Sequence, residues 1–316
     1  MDGAKKLRAL LGRPGPVVAP GVYDCISAKV VERAGFDAAF VSGAAVTASV
    51  LGYPDVGLQT MPEILGQVRN MTRAVDIPLL VDIDTGYGNA LNMMRTVREF
   101  EAAGAAGIFF EDQTFPKRCG HFEGKKLIGT DEMAVKVRAA CQARRSDEFV
   151  IVARTDGRAL EGLDGAIRRA QAYVEAGADV IYVEALLSED EMRQAAKEIK
   201  APLQANMSEG SRKTPVVHYE LLHRIGFKII SYSGLLQRTA IKNMQNALDV
   251  LRKEGSAESL FPDRLCTLID RSELLGLHRF YALEETLYGP LLDTEKSWRA
   301  ELDARAGITK GGDLPI

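Results

Sequence analysis

One pattern recurs along this chain and restricts its fold more than any composition figure: an amphipathic stretch closes on glycine, and an apolar run begins a few residues later. Arg33-Ala34-Gly35-Phe36-Asp37-Ala38-Ala39-Phe40 is echoed by Ala102-Ala103-Gly104-Ala105-Ala106-Gly107-Ile108-Phe109. Glu175-Ala176-Gly177-Ala178-Asp179-Val180-Ile181-Tyr182 and His223-Arg224-Ile225-Gly226-Phe227-Lys228-Ile229-Ile230 repeat it. In each copy a helix ends on a glycine able to take the left-handed cap that other residues resist, and a buried strand follows. Strands this continuously apolar belong to a parallel sheet covered by helices.

Following the unit through the chain predicts strands at 16–19, 38–42, 79–84, 107–111, 149–154, 180–184, 203–206 and 227–231. The helices fall at 26–34, 62–74, 90–103, 130–145, 163–176, 189–199, 218–225 and 235–253. Eight such units in about 240 residues match an eightfold parallel barrel. A doubly wound open sheet is the alternative, but no Gly-x-Gly-x-x-Gly turn follows the first strand. The expectation is an α/β (β/α)8 TIM-type barrel over residues 1–254, with 255–316 as a C-terminal helical extension. That extension holds helices at 259–275 and 278–287, a charged segment and a mobile tail from Gly307. A barrel does not need these helices, so they cap it or pack on a partner subunit.

A net charge of -3, with no block of Lys or Arg, argues against a nucleic-acid partner. No stretch has the length and apolarity of a membrane span, and the N-terminus lacks an apolar signal core. Cys25, Cys119, Cys141 and Cys266 match no zinc spacing, which fits free thiols in a reducing cytoplasm.

Barrels of this kind place chemistry where strands end. The strand ends here supply Ser42-Gly43-Ala44, Asp82 and Asp84, Glu111 and Asp112, Arg154, Glu184, Asn206, and Ser231-Tyr232-Ser233. Asp82, Asp84 and Glu111 are hard oxygen ligands suited to Mg²⁺ or Mn²⁺, although any single strand-end acid could equally cap a helix. Asp82 and Asp84, at i and i+2, are expected on one face of the strand. Arg154 calls for an anion, either a substrate carboxylate or Glu184. Ser42-Gly43-Ala44 offers a hydroxyl and backbone N–H groups to a carboxylate, or is a small-residue turn. Cys119 lies among Lys117, Arg118 and His121, whose charges favour its thiolate and suit it to proton transfer.

Taken together these motifs resemble the isocitrate lyase/phosphoenolpyruvate mutase superfamily, from about Leu10 to about Gly255. The matching runs are Ser42-Gly43, Leu51-Gly52-Tyr53-Pro54-Asp55, Val81-Asp82-Ile83-Asp84-Thr85-Gly86-Tyr87-Gly88-Asn89 and Glu111-Asp112-Gln113. Others are Pro116-Lys117-Arg118-Cys119-Gly120-His121, Ala153-Arg154-Thr155-Asp156, Glu184-Ala185 and Asn206-Met207. The resemblance implies a barrel with a Mg²⁺ enolpyruvate site and a C-terminal helix swapped between paired subunits in a homotetramer. Asp82 would bind Mg²⁺ directly, and Asp84 and Glu111 through water. Ser42, Gly43 and Ala44 would hold the pyruvyl end and Arg154 its carboxylate, with Gly120, Asn206 and Ser208 also contacting substrate. Asp55, Lys117, Cys119, His121, Arg154 and Glu184 would form the catalytic set, the Lys-Arg-Cys-Gly-His loop serving as a gate.

Members with Cys in that loop are mostly carbon–carbon lyases acting on 2-hydroxy di- or tricarboxylates. Those that cleave methylisocitrate tend to follow the gate His with Arg-Pro, whereas Phe122-Glu123-Gly124-Lys125 stands here. The comparison favours a smaller dicarboxylate such as 2,3-dimethylmalate. The loop also resembles that of carboxyphosphonoenolpyruvate mutase, which keeps a phosphonate mutase as the alternative. Departures from the family pattern fall at 206–215 and 231–234, both bordering the expected site.

Overall fold

The computed structural model describes residues 2–118, 124–210 and 213–288. Its first half runs α1 (Gly3–Gly12), β1 (Val17–Val22), α2 (Cys25–Arg33), β2 (Ala39–Val41), α3 (Gly43–Leu51), α4 (Met61–Ala74), β3 (Leu79–Asp82), α5 (Ala90–Ala102) and β4 (Gly107–Glu111). It continues with α6 (Thr130–Ala143), β5 (Val150–Thr155), α7 (Arg158–Glu175), β6 (Val180–Val183), α8 (Glu189–Glu198), β7 (Leu203–Asn206), α9 (Tyr219–Ile225) and β8 (Phe227–Tyr232). Then come α10 (Leu235–Glu254), α11 (Leu268–Leu274) and α12 (Leu277–Tyr288). The strands β1 to β8 form a closed parallel barrel in sequence order, so the (β/α)8 expectation holds. The chain divides within α10 into two compact units, Met1–Ile241 and Lys242–Ile316.

Strand periodicity separates two cores. Val81, Ile108, Phe110, Ile151 and Ile181 pack outward in the layer beneath the helices. Phe40, Leu80, Phe109, Val152, Tyr182 and Ile229 fill the barrel itself. The inward series therefore continues, two residues further on, to Ser42, Asp82, Glu111, Arg154, Glu184 and Ser231.

Local chemistry sets the helix boundaries. Glu63 takes both the N–H and the hydroxyl of Thr60 at 2.7 Å, opening α4 with Pro62 in its first turn. The helix α1 was not expected. Leu7, almost fully buried, joins the barrel-filling cluster with Val17, Ala38, Ala106 and Val150, so α1 plugs the N-terminal end. The helix expected at 259–275 is instead a 3₁₀ turn (Glu258–Leu260) followed by α11, because Pro262 cannot continue a helix. That at 163–176 starts earlier, at Arg158, and kinks at Gly162, whose φ is 73°.

Candidate active site

The inward strand-end residues surround a cavity of about 220 Å³ at the C-terminal mouth of the barrel. Asp82 ends β3, and its Oδ2 accepts the Gly43 N–H at 3.3 Å while its Oδ1 accepts the Asp84 N–H at 3.1 Å. A Cβ on Gly43 would stand 3.0 Å from Asp82 Oδ2, so the residue type keeps this approach open. The two acids do not share a strand face as expected. β3 has already ended, and Asp84 turns back with a φ of 52°, a left-handed conformation that costs energy for a side-chain-bearing residue. The turn is held by Asp84 C=O, which accepts the Glu111 N–H at 2.9 Å, and by Lys136 Nζ on Thr85 C=O. Lys117, buried, pairs with Asp55 and with Asp84, the latter at 2.7 Å.

Arg154 lies across from these acids. Its Nε meets Asp156 Oδ2 at 2.8 Å and Glu111 at 3.4 Å; its Nη2 meets Asp156 Oδ1 at 3.0 Å and Glu184 at 3.1 Å. Phe109 and Tyr182 support the guanidinium at 5.9 and 5.6 Å from their ring centres. Arg154 thus has its carboxylate partner within the protein, and among the described residues its Nη1 makes no hydrogen bond. Lys125 completes the group with 2.6 Å to Asp156 Oδ1. Asp112, next to Glu111, points the other way: it accepts from Thr155, Tyr173, Arg169 and the Asp156 N–H beneath the helices.

Burial raises Asp82, Asp84 and Glu111. Asp82 is pushed up to about 6 by desolvation and then by the charge of Asp84. Glu111 rises well above the carboxylate range from burial, which Arg154 opposes. Burial disfavours the Lys117 ammonium, but Asp84, Glu111 and Asp55 more than compensate. Glu111 Oε1 is buried without a hydrogen-bond partner. Crowded oxygen donors with an unpaired buried atom fit a hard divalent cation. Among the described residues no three His, Cys, Asp or Glu side chains form an ion-holding group by themselves. Magnesium does not demand one, since it keeps several waters and takes few carboxylates.

Ser42 caps α3, accepting the Ala45 N–H at 3.4 Å, and lines the cavity with Ala44; the Gly43 N–H is already turned to Asp82. Asp55, Lys117, Glu184, Asn206 and Ser208 line the same cavity. Cys119, Gly120 and His121 fall outside the described residues. Further lining residues escaped sequence reading, among them Phe40, Phe109, Tyr182, Gln204 and Arg238. The first four sit on inward positions one step below strand-end residues already singled out, so strand alternation carried their signal. Arg238, in the first turn of α10, had none.

The chain matches the family model described as Phosphoenolpyruvate phosphomutase over residues 7–252. It is 45% identical to 2-methylisocitrate lyase of Aeropyrum pernix over 87% of each chain. Against 2,3-dimethylmalate lyase of Eubacterium barkeri it is 40% identical, over 90% of this chain and 98% of that one. A crystal structure of 2,3-dimethylmalate lyase, described as a PEP mutase/isocitrate lyase superfamily member, superposes with a TM-score of 0.86 at 33% identity, covering 93% and 98%. A phosphonopyruvate hydrolase complex holding oxalate and Mg²⁺ superposes with a TM-score of 0.81 at 31% identity, covering 90% and 98%. Fold, motifs and mouth chemistry converge: the chain belongs to the phosphoenolpyruvate phosphomutase family, within the isocitrate lyase/PEP mutase superfamily.

Proposed function

We propose that the protein is a magnesium-dependent carbon–carbon lyase for 2-hydroxy dicarboxylates of the 2-alkylmalate type, such as 2,3-dimethylmalate, which would yield pyruvate and propionate. The observation that carries this reading is the acid set Asp82, Asp84 and Glu111, of which Asp82 and Glu111 line one cavity with the Arg154 guanidinium and Asp84 lies buried beside them. Asp82, Asp84 and Glu111 would hold the ion. When bound, magnesium supplies a Lewis acid that stabilises negative charge developing on substrate oxygens. Ser42 and Ala44 line the part of the cavity beside Asp82, where the pyruvyl end would sit, with Arg154 Nη1 left for its carboxylate.

The protein's own groups then move protons. A mouth carboxylate takes the proton of the 2-hydroxyl as the C2–C3 bond breaks, and the bonding pair passes to C3. The thiol of Cys119 returns a proton to C3, so the fragments together retain every atom of the substrate. Lys117 and Arg154 keep positive charge beside the developing anions in a water-poor cavity.

Arg238 on the cavity wall favours a second reading, because a further guanidinium suits the third carboxylate of 2-methylisocitrate. The test is keto-acid release with Mg²⁺ from 2,3-dimethylmalate, 2-alkylmalates, 2-methylisocitrate and isocitrate. Turnover abolished by EDTA supports the lyase and selects the substrate; silence across all of them overturns it.

The assembly is part of the same proposal. Met244 and Leu248 of α10, and Phe280, Leu283 and Leu287 of α12, are each more than half exposed. A second copy would cover them, as in paired subunits of a homotetramer, with the extension from residue 255 supplying the exchanged helix. No described helix is long and apolar enough to cross a membrane; a cytoplasmic location is proposed with the thiols of Cys25, Cys141 and Cys266, which are free.

A further inference from the structure

We propose that Gln204 selects a substrate whose distal half carries a hydroxyl group. Gln204 lies on β7, and in an eight-stranded barrel closed in sequence order β7 stands diametrically opposite β3, which supplies Asp82. If the keto-acid half binds beside Asp82, as the lyase reading on which this inference rests requires, the other half extends towards β7 and β8. Gln204 is 1% exposed and lines the cavity. The β7–β8 register slips at this point, with Leu203 opposite Phe227 but Gln204 opposite Ile229. The extra residue, Lys228, belongs to β8, so the irregularity bends β8 where it runs beside Gln204.

The orientation of the Gln204 amide follows from groups whose roles are unambiguous. The Ser233 backbone N–H can only donate, so the Asn206 atom it meets at 3.1 Å is the carbonyl oxygen Oδ1. Ser231 Oγ lies 3.3 Å from that oxygen and 3.2 Å from Ala205 C=O. Both are acceptors, which commits the Ser231 proton to one of them. The hydroxyl must therefore accept from Gln204, whose Nε2 stands 3.2 Å away. What remains is Gln204 Oε1, buried and without a hydrogen-bond partner. The neighbouring donors do not satisfy it: Gln237 Nε2 donates to Ala45 C=O and Arg238 Nη1 to Glu209 C=O, each at 2.7 Å.

An orphaned buried carbonyl needs a donor. A carboxylate has only lone pairs to offer and an alkyl group offers nothing, whereas a hydroxyl supplies the missing proton. Sites built around a substrate hydroxyl reject the analogue that lacks it far more strongly than apolar pockets discriminate by size. The class is thus a 2-hydroxy dicarboxylate of the alkylmalate type with a hydroxylated substituent at C3.

The test compares 2,3-dimethylmalate with its analogue bearing hydroxymethyl in place of the C3 methyl. Both would release pyruvate, one with propionate and the other with 3-hydroxypropionate. In the wild-type enzyme with Mg²⁺, kcat/KM for the hydroxymethyl acid should exceed that for the dimethyl acid by about tenfold or more. In Gln204→Met, of similar size and without the amide, that ratio should fall by about the same factor. Equal rates, or a wild-type preference for the dimethyl acid, overturn the proposal, as does an unchanged ratio in a folded variant. If the variant does not fold, the wild-type ratio decides alone. If neither acid is cleaved, the lyase reading fails separately, and the two dissociation constants measured by calorimetry decide. Tighter binding of the hydroxymethyl acid, by about tenfold, supports the role of Gln204, and equal binding overturns it.

Discussion

Replacing Asp156 by Asn should lower stability by about 2 kcal/mol at neutral pH. Burial alone would raise this carboxyl, but Arg154 and Lys125 overcome it and hold it at about 2, against 3.8 for the free group. That depression corresponds to about 2 kcal/mol of preference for the charged form, at about 1.36 kcal/mol per tenfold. Asparagine keeps the shape and removes the charge, leaving Lys125 Nζ and two Arg154 N–H groups facing a neutral amide. Because the folded value lies below the free one, the stabilisation is complete above about pH 4 and is lost as the pH falls towards 2. Urea denaturation of both proteins at pH 7 and pH 5 should give the same gap. The gap should narrow below pH 4, and the melting temperature at pH 7 should drop by roughly 3 °C. Equal midpoints at pH 7 would refute the ion-pair account. A gap undiminished in acid would show that shape, not charge, is responsible.

Three other outcomes are expected. In Asp82→Asn the stabilisation on adding Mg²⁺, which should reach about 2.7 kcal/mol in the wild type at a hundredfold excess over its dissociation constant, should disappear from urea titrations; an undiminished gain would remove Asp82 from the metal site. Gly86→Ala should destabilise by about 1–3 kcal/mol in urea titration, since φ is 82° and the new Cβ would stand 2.1 Å from Met93 Cε; wild-type stability would mean that the turn relaxes freely. Arg169→Met strips the buried cation from Asp112, which it meets at 3.3 Å, and should cost about 3–5 kcal/mol in the same assay; a loss below about 1 kcal/mol would show that Thr155 and Tyr173 suffice.

The barrel was legible because its determinants are local. Glycine after a helix, then a β-rich run, needs only a few consecutive residues, and repetition of that unit leaves few architectures open. The same locality placed Asp82, Glu111, Arg154, Glu184 and Asn206 at strand ends. Less local features were missed or misread. α1 is amphipathic, but only the finished barrel provides the end that Leu7 plugs. Asp84 follows an i, i+2 pattern that presumes a strand, and β3 had already stopped.

The sequence by itself determined which residues could meet at the mouth, since strand order and alternation follow from short-range chemistry. Which atoms actually meet was left to the tertiary structure. Glu111 and Asp112 are adjacent carboxylates, yet the register of β4 with β5 turns one to Arg154 and the other to the helices. Lys125 reaches Asp156 across 31 residues, and Gln204 is left with an unanswered carbonyl only because Ser231, Asn206 and Ser233 have already used their groups on one another. Hydrogen bonds and ion pairs are short-ranged and directional, so their partners are chosen only once closure of the barrel has brought distant strands to within a few ångströms.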